Sequence, residues 1–259
     1  MALSYDQNPP SSAGTRPGWR WGIPTLLSAL HALTALPGRR GTRVVGTNAV
    51  FYPLVGLLLG TVALLADWAA SLFAGFSVRS VAVQAALLLC TAARPHRALG
   101  QLLEACLLKR NRSAAVQLLE GAEDGVSRVL ATMVAVVELI ALCELDRFRP
   151  IGLLFAPTLA HCSMVVLAVG SRAARVDGRR IKFAPGLTFN EFAVASALTF
   201  SIIFLTSEFL GLLLVLSVAV LTIGLRVLFH RWLGGVNGTI LDATCEVSTL
   251  ATLALLALF

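Results

Sequence analysis

Long apolar runs, set apart by short loops that carry most of the arginines, decide what this chain can fold into. Full-length runs cover residues 49–73, 126–145, 151–170, 187–206, 209–225 and 241–259, with shorter ones at 23–36 and 81–93. A bilayer core about 30 Å thick is crossed by about 20 such residues in a helix. Only 14% of residues are charged, against roughly 25% in a soluble domain. Mean hydropathy is +0.80. The expected fold is all-α: a polytopic membrane bundle of seven or eight transmembrane helices. It occupies residues 19–259 as one domain, behind a Pro-, Ser- and Gly-rich tail at 1–18 of disordered composition.

The net charge of +7 does not point to nucleic acid, because the basic residues sit in the loops and set topology. Loops 37–45, 94–125, 171–186 and 226–240 hold 3, 5, 5 and 2 Arg or Lys residues, and the alternate loops 74–79, 146–150 and 207–208 hold 1, 2 and 0. Crossing parity puts the first group on one side. The positive-inside rule makes that side cytoplasmic. The five cysteines are scattered without metal-site or disulfide spacing.

Two polar stretches fall on the basic side. Residues 94–125 combine Arg94, His96, Arg97, Glu104, Glu120, Glu123 and Asp124 with Leu99, Leu102, Leu103, Cys106 and Leu107 at helical spacing, which reads as an amphipathic helix on the membrane surface. The second stretch runs from Gly234 to Glu246. Gly234, Gly235 and Gly238 permit a sharp turn and close approach of backbone to a ligand. Asn237 and Thr239 can bind backbone or phosphate. Asp242 and Glu246 lie one turn apart on one helix face. The plainer reading is a loop before a helix, with Thr239 or Asp242 as its N-cap.

Inside the runs, Gly56 and Gly60 make a small-xxx-small pair suited to close helix packing. Glu138 is an intramembrane carboxylate and so a functional candidate; pairing with His161 across the bundle is the structural alternative. Asp67 falls near the outer interface. Asn190 and Glu191 sit near the start of the sixth run, where they could line a site.

Leu33-Thr34-Ala35-Leu36-Pro37, Phe51-Tyr52-Pro53-Leu54-Val55-Gly56-Leu57-Leu58-Leu59-Gly60 and Gly234-Gly235-Val236-Asn237-Gly238 stand in the order and spacing of cobalamin synthase, and the chain resembles that family over nearly all its length after the tail. The resemblance implies adenosylcobinamide-GDP ribazoletransferase activity, joining α-ribazole or its phosphate to adenosylcobinamide-GDP with release of GMP and use of Mg²⁺. It further implies corrinoid nucleotide and ribazole substrates, and a homo-oligomer or cobamide-assembly complex as possible partners beyond the lipid bilayer. By the same resemblance Glu246, which matches a family glutamate, is a catalytic candidate; Asp242, where the family usually has glycine, is the second, one turn earlier on the same face. Gly234, Gly235, Asn237, Gly238 and Arg97 are substrate-binding candidates, and Glu104, Asp124, Asp242 and Glu246 are metal candidates.

The chain departs from the family's acidic pattern HxDGxxDxxDG. Arg97 and Gln101 stand where two aspartates belong, and only Glu104 keeps a carboxylate. Thr249 replaces a second C-terminal glutamate. Two alternatives therefore stand beside the enzyme: a catalytically silent relative acting as a membrane scaffold or partner, and a small multi-pass transporter. An inverted repeat would favour the transporter, and the sequence shows none.

Overall fold

A computed structural model describes residues 22–36, 46–108, 111–121, 123–176, 179–180 and 187–259. The expected tail at 1–18 and much of the basic loops at 37–45 and 171–186 lie outside them. The described helices are α1 (Ile23–Leu33), α2 (Tyr52–Ser71) after a 3₁₀ turn at Thr47–Phe51, α3 (Phe76–Thr91), α4 (Arg94–Leu108), α5 (Arg112–Glu120), α6 (Gly125–Glu144), α7 (Arg149–Ala168), α8 (Phe189–Trp232) and α9 (Gly238–Ala257). Arg175–Val176 and Arg179–Arg180 form a two-residue antiparallel ladder.

Among the described residues five helical segments are long and apolar enough to cross a membrane, six if the bent pair α3–α4 counts as one span. The chain is thus a multi-pass integral membrane protein. The count differs from seven or eight for a geometrical reason. With 11 residues α1 is about 16 Å long, half a bilayer core. The third run is one arm of a pair bent by 85°, and the sixth gives only a short apolar helix at Phe189–Leu205.

The bundle is organised on α7, which is buried along most of its length. Helix α2 lies antiparallel against it with Gly56 and Gly60 in the contact. A Cβ on Gly56 would overlap the Pro157 carbonyl oxygen and come within 2.8 Å of Thr158 Cα, and one on Gly60 would lie 2.7 Å from the Leu154 oxygen. The backbones can approach this closely only because both positions lack a side chain. Helix α9 packs on another side of α7, where Ser248 Oγ donates to Ser163 Oγ at 2.9 Å.

The polar segment after α3 does not lie on the surface. Ala92 and Ala93 take left-handed φ values of 53° and 52°, the chain turns by 85°, and α4 inserts between α6 and α9. Pro95 near the new N-terminus needs no helical N–H partner. Arg94 locks the corner: its Nη1 donates to the Ala32 carbonyl at 2.6 Å and its Nη2 to the Thr34 carbonyl at 2.9 Å, capping α1. At Gly100 a Cβ would come within 2.8 Å of the Ala131 nitrogen, so α4 is seated tightly on α6. The expected surface helix is therefore an internal one, with Ala98, Leu99, Gln101, Leu102, Glu104 and Ala105 buried.

Helix α8 contains the expected reversal at 207–208 within a continuous helical path. A Cβ on Gly211 would lie 2.9 Å from the Ile203 carbonyl oxygen, whereas eight residues of straight helix span about 12 Å.

The α2–α7 contact gives a direct test. Gly56→Ala places a methyl group against backbone that cannot move aside without separating the two helices. The variant should lose about 1–3 kcal/mol, measured as a lowered midpoint of detergent-induced unfolding, while Gly75→Ala, with open space around it, should leave the midpoint unchanged.

Candidate functional site

Residues 94–125 and the glycine-rich turn meet at one end of the bundle. Helix α5 is the contact element. Asn237 is the N-cap of α9, its Oδ1 accepting from the Ile240 N–H at 2.9 Å, and its Nδ2 donates to Glu120 Oε1 at 2.6 Å. Thr239 Oγ1 donates to the Leu119 carbonyl at 2.7 Å, and Arg112 Nε to the Leu233 carbonyl at 2.9 Å. The cap is Asn237, in place of Thr239 or Asp242.

Gly234 has a left-handed φ of 70°, and a Cβ there would collide with the Arg112 guanidinium. Gly235 lies against the backbone of residues 172–174, where the Val236 N–H donates to the Arg172 carbonyl at 2.9 Å. The close approach that these glycines allow is therefore made to the protein's own chain, and Asn237 is fully buried with both ends of its amide engaged.

Glu104 and Asp124 come together beside this platform. Asp124 caps α6, accepting from the Ser127 N–H at 2.9 Å. The Ser127 hydroxyl donates to Glu104 Oε2, so Ser127 bridges the two carboxyls through its N–H and its hydroxyl. The Ser127 backbone N–H holds the Asp124 carboxyl below the usual carboxylate range. Glu104 is 1% exposed while Asp124 faces out. The pair thus links a buried oxygen donor to an accessible one. Arg97 stands on the same helix, half exposed and paired with Glu123 at 3.0 Å.

Glu246 belongs to a different group. His96 Nε2 lies 2.6 Å from Glu138 Oε2, and His96 Nδ1 3.3 Å from Glu246 Oε2. Gln84 Nε2 donates to Glu138 Oε2 at 2.5 Å. All four side chains are buried. His96, Glu138 and Glu246 can offer donor atoms within 4.8 Å of one another, close enough to hold a metal ion. The sequence-level set Glu104, Asp124, Asp242 and Glu246 is therefore divided. Glu104 and Asp124 form one group, Glu246 sits with His96 and Glu138, and Asp242 is half-buried one turn before Glu246.

Glu138 pairs with His96 and not with His161, whose Nδ1 is 2.7 Å from the Pro157 carbonyl oxygen four residues back. The α3–α4 corner is what brings His96 to Glu138. Gln84, missed in the sequence, carries a signal in retrospect: it is a lone amide in an apolar run. Glu191 serves the N-terminus of α8, accepting from the Thr188 N–H at 2.8 Å.

A family model described as "Cobalamin-5-phosphate synthase" matches residues 25–257. Among curated proteins, the chain is 30% identical over 233 residues to a protein of Pseudomonas savastanoi pv. phaseolicola, covering 86% of this chain and 93% of that one. It is 29% identical over 213 residues to one of Geotalea daltonii, covering 81% and 85%. A third, of Chlorobaculum tepidum, is 28% identical over 242 residues, covering 90% and 95%. All three bear the name "Adenosylcobinamide-GDP ribazoletransferase". No solved structure matches the chain.

The Asn237 junction predicts a stability effect. Asn237→Ala removes the cap of α9 and the amide partner of Glu120, and should cost about 1–2 kcal/mol in the same detergent-unfolding measurement. Thr239→Val, which loses only the bond to the Leu119 carbonyl, should cost about 1 kcal/mol.

Proposed function

The chain belongs to the cobalamin-5-phosphate synthase family, and on that premise we propose that it is an adenosylcobinamide-GDP ribazoletransferase acting at the polar end of the bundle. The observation that carries the reading is that a match over nearly the whole chain coincides with two carboxyls, Glu104 and Asp124, bridged by Ser127 at the end of the bundle where the glycine-rich turn docks. The oxygen nucleophile of α-ribazole, or of its phosphate, attacks the corrinoid-side phosphorus of the pyrophosphate. A P–O bond forms there, the bridging P–O bond breaks, and GMP leaves with the bridging oxygen.

Mg²⁺ fits the donors of the Glu104–Asp124 pair, because a hard cation takes oxygen ligands and completes its shell with substrate phosphates and water. When bound, it neutralises charge on the phosphate oxygens. Glu104 and Asp124 would hold it. Arg97 exchanges its Glu123 partner for a phosphate oxygen, a bidentate recognition suited to a guanidinium. This gives Arg97 a purpose at a position where the family has a carboxylate.

We place this end on the cytoplasmic side of a bacterial plasma membrane, where the basic loops belong. The silent-relative alternative has less support: three relatives that share most of their length with this chain carry the transferase name.

The test is to supply adenosylcobinamide-GDP, α-ribazole and Mg²⁺ to membranes containing the protein and to measure GMP and cobalamin. Product is expected. Asp124→Asn keeps a capping side chain of equal quality but removes the charge, and should lower the rate by about 100-fold or more with the protein still folded. Absence of product at every Mg²⁺ concentration from folded wild-type protein would overturn the reading.

A further inference from the structure

We propose that Gln84, His96, Glu138 and Glu246 form a closed binding site for a divalent transition-metal ion, with Zn²⁺ the species that fits it. The inference does not rest on the transferase reading. Each donor comes from a different helix: α3, α4, α6 and α9. His96, Glu138 and Glu246 are 6%, 2% and 3% exposed, and Gln84 is 6% exposed.

Three atoms of this one group, Gln84 Oε1, His96 Nδ1 and Glu246 Oε1, are buried without a hydrogen-bond partner. Among the described residues the one other such atom is Arg149 Nη2. That guanidinium sits with Asp67, Arg79 and Phe76 where α2, α3 and α7 meet. Buried polar groups left unpaired are costly, and three of them belong to this one group of four side chains.

An imidazolium at His96 would donate to both Glu138 and Glu246, yet Gln84 Oε1 and Glu246 Oε1 would still lack partners. If His96 Nε2 carries a hydrogen for Glu138, it faces the Gln84 amide donor at 3.2 Å. If it carries none, two acceptors face each other at 2.6 Å. Turning the Gln84 amide over, which exchanges its N and O, places its oxygen 2.5 Å from Glu138 Oε2, again acceptor on acceptor. A cation bound through one imidazole nitrogen takes up the acceptors facing that nitrogen, and the other nitrogen then donates its hydrogen to the carboxylate on its own side. The turned amide then supplies an oxygen, His96 a nitrogen, and the two glutamates a carboxylate oxygen each, so the buried carboxylate charge is balanced by the metal.

The donor set selects the ion. An imidazole nitrogen suits Zn²⁺ and its neighbours, whereas Mg²⁺ prefers oxygen and keeps several waters. Four protein donors in a dry setting match closed, tetrahedral Zn²⁺. Bonds of 2.0–2.2 Å place tetrahedral donors about 3.4 Å apart. The 3.3 Å between His96 and Glu246 is near this, while the 2.6 Å between His96 and Glu138 would open and the 4.8 Å spread would close as the donors take up the ion. The site would clamp the inserted α4 to α3, α6 and α9, separately from the Glu104–Asp124 pair.

The test is metal content of the full-length protein in detergent. After stripping with chelator and reconstitution with Zn²⁺ in the presence of excess Mg²⁺, wild type should retain one Zn²⁺ per chain through gel filtration and should unfold at a higher temperature than the stripped protein. Co²⁺ in place of Zn²⁺ should show the visible ligand-field absorption of a tetrahedral site. Glu138→Gln should weaken Zn²⁺ binding by on the order of 100-fold and Gln84→Ala by about 10-fold, and His96→Ala should abolish the Co²⁺ spectrum. Gln84→Ala changes a neutral side chain, so it keeps the comparison meaningful if the others fail to fold. Wild-type protein that takes up no Zn²⁺ or Co²⁺, or a Co²⁺ spectrum unchanged in folded His96→Ala or Gln84→Ala, would overturn the proposal whatever the outcome of the GMP assay.

Discussion

A helix that leaves its direction by 85° and comes to rest between two others must carry its polar side chains inward with it. That constraint governs this protein. In lipid there is no water to satisfy a buried carboxylate or imidazole, so each must find a partner among its neighbours. The arrangement around α4 is the answer. Arg94 fastens the corner to α1, His96 meets Glu138 and Glu246, Gly100 allows the close seat on α6, and Glu104 meets Ser127 and Asp124. Along about three turns of one helix, these four positions, two to four residues apart, are each committed to a specific contact.

The helices were legible from the sequence because lipid exposure leaves an unambiguous apolar pattern. Residues 49–73, 126–145, 151–170 and 241–259 fall on α2, α6, α7 and α9 with small shifts at the ends. Gly56 and Gly60 were legible as a packing pair for the same reason: small residues four apart have few other uses in an apolar helix. The joint location of residues 94–125 and the glycine-rich turn was legible through charge, since both fall among the basic loops.

The α3–α4 corner was not legible. Left-handed backbone is expected at glycine or asparagine, and here two alanines adopt it. Tertiary packing overrides their preference. Without the corner, His96 belongs to a surface helix and Glu138 has only His161 to pair with. With it, His96 sits beside Glu138 and His161 turns to its own helix. For the same reason carboxylates that look like one set in the sequence part company, Glu104 with Asp124 and Glu246 with His96 and Glu138. The glycine-rich turn was legible only in part, because a turn that allows close approach does not say what approaches. In this fold it is residues 172–174 and Arg112.

The antiparallel seat of α2 on α7 also bears on how the protein is made. The carbonyl of Pro157 that receives Gly56 lies roughly a hundred residues downstream, on the order of 5–20 s of synthesis. During that interval α2 resides in the bilayer with its notched face open to lipid, and α3 to α6 emerge before its partner does. Biogenesis must therefore tolerate a half-built assembly whose central groove is still vacant. Insertion factors and quality-control proteases encounter that nascent form before they encounter the finished one.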